Sequence, residues 1–304
     1  MSESERILVL KLRASRSKAR EVAVAEVVAM LRGLGARAAS GGPMSEVPAV
    51  AWVAIPDANL ESAIGRLRGI GYTESIDLVT PLEDLNPRDR PQLTRWKGRG
   101  VALLRLYEES DESIRANAPD RRTFLLECGD GIARAIEGYR GGSGILEHRA
   151  LPVADARLLV NLVTSHRGAR LLDPFAGAGG VILEANSKGF TSVSMDRDPA
   201  VRFGLAQISS RHLVGNASAL PFETASFDAV ATEPPYHPSA LDSIVASVAE
   251  VARVIRDGGR IAYLVASQQT NAVRAAGDRA GLTLELAAPI DRKGLQVTCL
   301  CWSR

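Results

Sequence analysis

The chain has 304 residues, 46% of them hydrophobic and 24% charged, with a formal net charge of +2. That balance excludes a disordered chain and leaves enough apolar material for a sizeable core. No run of about eighteen apolar residues crosses a membrane, and the charged start Met1-Ser2-Glu3-Ser4-Glu5-Arg6 lacks a signal-peptide core. The expectation is a soluble, cytoplasmic protein of two domains. Cys128, Cys299 and Cys301 form no CxxC pair, which fits a reducing compartment. The net charge alone announces no nucleic-acid binder. The basic residues are 32 Arg against 5 Lys, a bias that suits bidentate phosphate contacts but also follows from genomic composition.

In chain order, residues 1–80 read as strand, helix, strand, helix, strand. Ile7–Leu10 is an apolar β-forming run. Val24, Val27, Val28, Leu31 and Leu34 share one helical face, stopped by Gly33 and Gly35. Val50–Ile55 is a second strand, Leu60, Ile64 and Leu67 mark a second helix, and Ser75–Val79 is a third strand. This arithmetic predicts a small α+β ferredoxin-like domain. Residues 81–148 read as a linker followed by a short docking region, with strands Val101–Tyr107 and Thr123–Cys128.

From residue 149 the pattern alternates βαβ, which predicts a doubly wound, largely parallel sheet. Its elements are a helix at Ala156–Val163, strand Arg170–Asp173, helix Val181–Lys188 and strand Thr191–Met195 ending at Asp196. Strand Phe227–Ala231, helix Leu241–Ile255, strand Arg260–Val265 and a helix near Thr270–Ala280 follow. Leu282–Leu286 and Gln296–Trp302 form a terminal hairpin added to the sheet edge.

The chemistry concentrates at the carboxyl ends of those strands, where open α/β sheets bind ligands. Asp173-Pro174-Phe175-Ala176-Gly177-Ala178-Gly179-Gly180 carries a strand through a glycine-rich turn into a helix. Glycines there let backbone and helix N-terminus approach a ligand. Asp196 lies 19 residues after Gly177, placed to accept bonds from both ribose hydroxyls, with Asp198 as the alternative. The turn departs from GxGxxG, so a mononucleoside-like cofactor fits better than a dinucleotide. Asn216, in Val214-Gly215-Asn216-Ala217, either pairs with an adenine edge or caps a turn.

Glu233-Pro234-Pro235-Tyr236 ends the fourth strand 60 residues after Asp173. A carboxylate plus a fixed carbonyl accept both hydrogens of an exocyclic amine, and the Tyr236 ring stacks on a flat partner. That arrangement would aim the amine lone pair at an electrophilic methyl.

With these residues in place, the chain resembles class I S-adenosylmethionine-dependent amino-methyltransferases, whose motif is (Asp/Asn/Ser)-Pro-Pro-(Tyr/Phe/Trp). EHRALPVADARLLVNLV, LLDPFAGAGGVILEA and VATEPPY look like the tRNA guanine-N2 methyltransferases that modify guanine 10. The stretch ILVLKLRASRSKAREVAVAEVVAMLRGLG is similar to that family's ferredoxin-like start, and KGLQVTCLCW to its last strand.

The resemblance implies a Rossmann-like methyltransferase domain over 149–304 and S-adenosylmethionine as cofactor. Asp173, Phe175, Gly177 and Gly179 would lie along the cofactor, Asp196 on its ribose, and Asn216 and Ala217 at its adenine. Glu233, Pro234, Pro235 and Tyr236 would hold the target amine. Glu233 stands where Asp or Asn is usual, and 81–148 is shorter than a full THUMP domain, so the resemblance implies a reduced one.

Arg16, Lys18 and Arg20 with Lys11 and Arg13, and Arg95, Trp96, Lys97 and Arg99 with Arg88 and Arg90, are the candidate RNA-docking cations. A solvated charged face or linker is the plainer alternative. His148, His166, His212 and His237 show no metal-ligand spacing, and no metal is expected. The expected activity is therefore methylation of an exocyclic nucleobase amine, guanine N2 in tRNA foremost. Alternatives are N6-adenine in DNA or RNA, glutamine N5 in protein, or cofactor binding without turnover. A small activating subunit and the oligomeric state stay open.

Overall fold

The computed structural model describes residues 4–39, 49–81, 93–95, 101–116, 123–127, 129–137, 151–164, 166–292 and 294–304. It divides into two compact units, Met1–Ile114 and Arg115–Arg304.

In the first unit β1 (Glu5–Leu12), α1 (Arg20–Met30), β2 (Arg37–Ala38), β3 (Val50–Pro56), α2 (Leu60–Arg66) and β4 (Thr73–Pro81) follow in chain order. This is the βαββαβ arrangement of a ferredoxin-like domain. β5 (Leu93–Arg95) and β6 (Val101–Glu108) extend the sheet to the order β2-β3-β1-β4-β6-β5, and α3 (Asp111–Ala116) follows. The sequence places a boundary after residue 80. In the structure β6 pairs antiparallel with β4 from Ser75↔Glu108 to Pro81↔Val101, so 101–108 join the first sheet.

The face of α1 also differs from the apolar spacing. Val22, Ala23, Glu26, Val27 and Met30 are buried, while Val24 and Val28 are only half-buried. The reason is Glu26, whose carboxylate accepts the backbone N–H groups of Gly71 (2.6 Å) and Tyr72 (3.0 Å). A buried carboxylate must find such donors, and finding them rotates the helix.

Two of the candidate docking cations prove structural. Arg13 is 1% exposed and donates to the carbonyls of Gly71 (2.7 Å) and Glu109 (2.7 Å). Arg16 is 7% exposed, its guanidinium 5.3 Å from the centre of the Tyr72 ring. Lys18 is exposed and Arg20 half-buried. Trp96, Lys97 and Arg99, with Arg88 and Arg90, lie outside the described residues, as does the side chain of Arg95.

The second unit begins with a ribbon of β7 (Thr123–Glu127) and β8 (Ala133–Glu137), then α4 (Val153–Leu162). There follow β9 (Arg170–Asp173), α5 (Gly180–Ser187), β10 (Thr191–Asp196), α6 (Arg202–Ile208), β11 (Arg211–Val214) and β12 (Phe227–Thr232). The chain ends with α7 (Leu241–Val254), β13 (Ile255–Ala266), α8 (Thr270–Arg279), β14 (Thr283–Arg292) and β15 (Leu295–Ser303).

The sheet order is β11-β10-β9-β12-β13-β15-β14. Its first five strands are parallel, and β15 runs antiparallel to both neighbours. Strand order reverses beside β9, which opens a crevice at the carboxyl ends of β9 and β12. Every residue of β12 is buried, as a strand covered on both faces requires. The terminal hairpin is added at the sheet edge, with β15 pairing to β13 and β14 forming the margin.

Packing across the antiparallel end is tight. Trp302 is fully buried, edge-on to Tyr263 at 5.9 Å between ring centres. A Cβ on Gly277 of α8 would lie 2.6 Å from the Trp302 Nε1. Gly277→Ala should therefore destabilise the unit by about 1–3 kcal/mol, read as a lower melting temperature. Helix propensity alone would stabilise by about 1 kcal/mol, so a higher melting temperature would refute the packing argument.

Candidate active site

A cavity of about 890 Å³ lies within the second unit, lined by the residues that end β9, β10 and β12 and follow β11. Its volume is that of a site for a sizeable small molecule.

β9 delivers Asp173 into this cavity. Its Oδ1 accepts the Thr232 hydroxyl (2.6 Å) and the Phe175 N–H (3.2 Å). Burial pushes this carboxyl up to about 7; the two hydrogen bonds oppose the rise, and the charges of Asp196 and Glu233 add to it. The turn closes at Gly179, the residue capping α5, with φ +79°. Only glycine holds that conformation without strain.

β10 ends at Asp196, whose carboxylate accepts the N–H groups of Gly177 (2.8 Å) and Asp198 (2.9 Å). These two bonds fix its orientation beside the glycine turn. Asp198 itself accepts the Ala200 N–H (2.9 Å) and caps the next turn. Beyond β11, the Asn216 carbonyl oxygen accepts Ser218 N–H (3.1 Å) and the Ser243 hydroxyl (3.3 Å). The loop after Asn216 is tied to α7, because Arg253 donates to the carbonyls of Phe222 (2.7 Å) and Leu220 (2.9 Å).

β12 runs out into Glu233-Pro234-Pro235-Tyr236. Pro235 is held by Gln269, which donates Nε2–H to its carbonyl (3.0 Å) and accepts Ala266 N–H (3.1 Å). The Tyr236 hydroxyl donates to Glu233 Oε1. Arg292, from the end of β14, donates Nη1–H to the same Oε1 (2.6 Å) and to the Tyr236 oxygen (2.8 Å). Its Nε lies 3.0 Å from Oδ2 of Asp155, a fully buried residue in the first turn of α4. Burial pushes the Glu233 carboxyl up, whereas Arg292 and the Tyr236 hydroxyl pull it down.

Asp173, Phe175, Gly177, Asp196, Asn216, Ala217, Glu233, Pro234, Pro235 and Tyr236 thus all line one cavity. Gly179 does not; a Cβ there would meet Ile208 Cδ1 at 2.3 Å, so its part is to let α5 start against α6. His237 reaches the rim but spends Nδ1 on the N–H of Ser239. Sequence reading missed Arg292, Asp155 and Gln269. Arg292 and Gln269 sit in no motif, and Asp155 lies in the EHRALPVADARLLVNLV stretch without standing out there. Only the fold brings the three to the site.

Residues 172–263 match the family model described as a methyltransferase domain. The match runs from β9 into β13 and takes in the four strand ends around the cavity. This part of the chain is thus similar to a methyltransferase domain and lies in a sheet of Rossmann-like, doubly wound order.

Its curated relatives narrow the comparison. Over 98 residues the chain is 35% identical to a tRNA (guanine(10)-N2)-dimethyltransferase of Pyrococcus abyssi, covering 29% of each protein. Over 91 residues it is 32% identical to the protein of that name from Methanothermobacter thermautotrophicus, covering 28% of this chain and 27% of the relative. The chain thus spans less than a third of these relatives' length. Among solved structures, TrmN from Thermus thermophilus aligns over 99% of this chain and 100% of its own, at 16% identity and a TM-score of 0.49.

The cavity suits the cofactor of this class. Four carboxylates, Asp173, Asp196, Asp198 and Glu233, line it together, and the charges of Asp196 and Glu233 are part of what raises Asp173. A ligand carrying net positive charge relieves that repulsion.

Two outcomes follow from the carboxyl at about 7. Its folded-state pKa lies above the ordinary carboxylate value, so the contribution to stability is full below about 4 and lost as pH rises through about 7. Asp173→Asn keeps the acceptor for Thr232 and Phe175. In the cofactor-free protein it should gain up to about 4 kcal/mol over the wild type at pH 8 and nothing near pH 4, by denaturant titration. Calorimetry should also find cofactor affinity falling as pH drops below about 7, and no such fall in Asp173→Asn.

Proposed function

We propose that the chain transfers the methyl group of S-adenosylmethionine to an exocyclic amine of a nucleobase, guanine N2 in tRNA foremost, in the cytoplasm. The observation that carries the reading is Glu233 and Tyr236, joined by a hydrogen bond, on the wall of a cavity that Asp173, Asp196 and Asn216 also line. When bound, the cofactor supplies a methyl on a sulfonium sulfur, an electrophile that needs no further activation.

The protein's part is placement. Asp196, already oriented by Gly177 and Asp198, holds the ribose; the Asn216 amide and Ala217 meet the adenine; Asp173 and the Gly177 turn run along the methionine. The Glu233 carboxylate accepts an N–H of the target amine, and the Tyr236 ring stacks on the base. The proline pair, braced by Gln269, keeps that acceptor still. A base reaches Tyr236 only by leaving its stack, as enzymes that act on bases require.

The relatives' name favours tRNA over DNA or protein. Lys18, Arg20, Arg95, Trp96, Lys97 and Arg99 remain the proposed docking contacts, with Arg16 removed because it packs on Tyr72.

Purified protein with methyl-labelled cofactor is offered total tRNA, ribosomal RNA, genomic DNA and cell protein separately. Label in tRNA that digests to N2-methylguanosine is expected. Label in DNA or protein alone would overturn the substrate, and label only after adding cell extract would point to an activating subunit. Glu233→Ala should lose transfer by about 100-fold or more and bind cofactor normally. Asp196→Ala should weaken cofactor binding at least about tenfold; unchanged affinity would refute the ribose assignment.

A further inference from the structure

We infer that Arg292 is a positioning residue for this reaction: with the Tyr236 hydroxyl it takes one oxygen of Glu233, leaving the other as the acceptor for the substrate amine. The inference rests on the proposed reading of Glu233 as the group that holds that amine.

The geometry is specific about which oxygen is taken. Arg292 Nη1 and the Tyr236 hydroxyl both donate to Oε1. Among the described residues Oε2 has no hydrogen-bond partner, and the side chain, 21% exposed, lines the cavity. A glutamate has three torsions between backbone and carboxylate and by itself samples several rotamers. Fixing Oε1 at two points leaves Oε2 a narrow range of positions.

The guanidinium is fixed in turn. Arg292 is 13% exposed and reaches Asp155 through Nε (3.0 Å) and Glu233 through Nη1 (2.6 Å). Those carboxylates stand on α4 and at the end of β12, so a planar fork held at two edges cannot rotate away. A lysine, with one charged atom, cannot occupy both positions.

The groups facing the Glu233 carboxylate are Arg292 from β14, Asp155 from α4 and Tyr236 from its own loop. Asp173 at the end of β9 feels its charge. Arg292 is the cation among them, and it opposes the rise that burial imposes on Glu233. It therefore favours the ionised form of the acceptor against the burial that raises it.

The test compares Arg292→Ala and Arg292→Lys with wild type, with Glu233→Gln identifying the Glu233 signal. In cofactor-free protein labelled with ¹³C at glutamate carboxyls, the Glu233 titration in Arg292→Ala should move up by about one pH unit or more. In turnover, kcat should fall about tenfold or more, its acid limb should move in the same direction, and cofactor affinity should stay within about twofold. Arg292→Lys should restore the titration more fully than the rate, and added methylguanidine should return part of the Arg292→Ala rate.

A merely structural arginine would leave the Glu233 titration and the acid limb unmoved, and that result overturns the inference. If Arg292→Ala does not fold, Asp155→Asn, which frees the guanidinium from its far side, should lower kcat with cofactor affinity kept within about twofold. The acid limb should not move up in that variant, because the Asp155 charge itself pushes Glu233 up. The two readings fail separately. Full activity in Glu233→Ala sinks the amine-holding reading and this inference with it. An inactive Glu233→Ala beside an Arg292→Ala enzyme of normal rate and titration sinks the inference alone.

Discussion

Carboxylates gathered at one cavity are the constraint around which the second unit is built. Parallel strands all end at the same margin, so side chains that close β9, β10 and β12 are brought together whatever their charge. Left alone in a poorly hydrated crevice, Asp173, Asp196 and Glu233 would repel one another strongly. Each is answered differently. Asp196 is fixed by two backbone N–H groups. Glu233 is paired with Arg292. Asp173 keeps neutral donors only and is held near neutrality. The least compensated of the three is thus the one most responsive to a cationic ligand.

What the sequence shows of this follows from where periodicity is informative. Buried parallel strands are rich in apolar residues, so Leu171-Leu172 and Ala229-Val230-Ala231 stand out, and the acid that follows marks a strand end. Asp173 and Glu233 are legible for that reason, Asp196 by its spacing from the glycine turn, and Asn216 by its place in Val214-Gly215-Asn216-Ala217. Arg292 is not, because its partner Glu233 is 59 positions away and nothing in the turn around Asp291 singles it out. Asp155 is hidden likewise within an ordinary helical pattern, and Gln269 by its place at the start of α8.

The first unit shows the opposite failure, in which charge misleads. Lys11, Arg13, Arg16, Lys18 and Arg20 read along the chain as one basic cluster. Folding sorts them: Arg13 turns inward to carbonyls and Arg16 lies on Tyr72, while Lys18 faces outward. Glu26 shows the same sorting for an acid. A charged residue next to exposed neighbours in sequence carries little information about its own burial, because one strand-to-helix turn can point successive side chains into and out of the core.

The placement of the tryptophans gives each unit its own optical signal. Among the described residues Trp52 is buried in the first unit and Trp302 in the second. Indole emission shifts when water reaches the ring, so replacing Trp52 or Trp302 by phenylalanine, in a background lacking Trp96, silences one half of the chain. Whether the two halves melt in one transition or two can then be seen directly, without separating them.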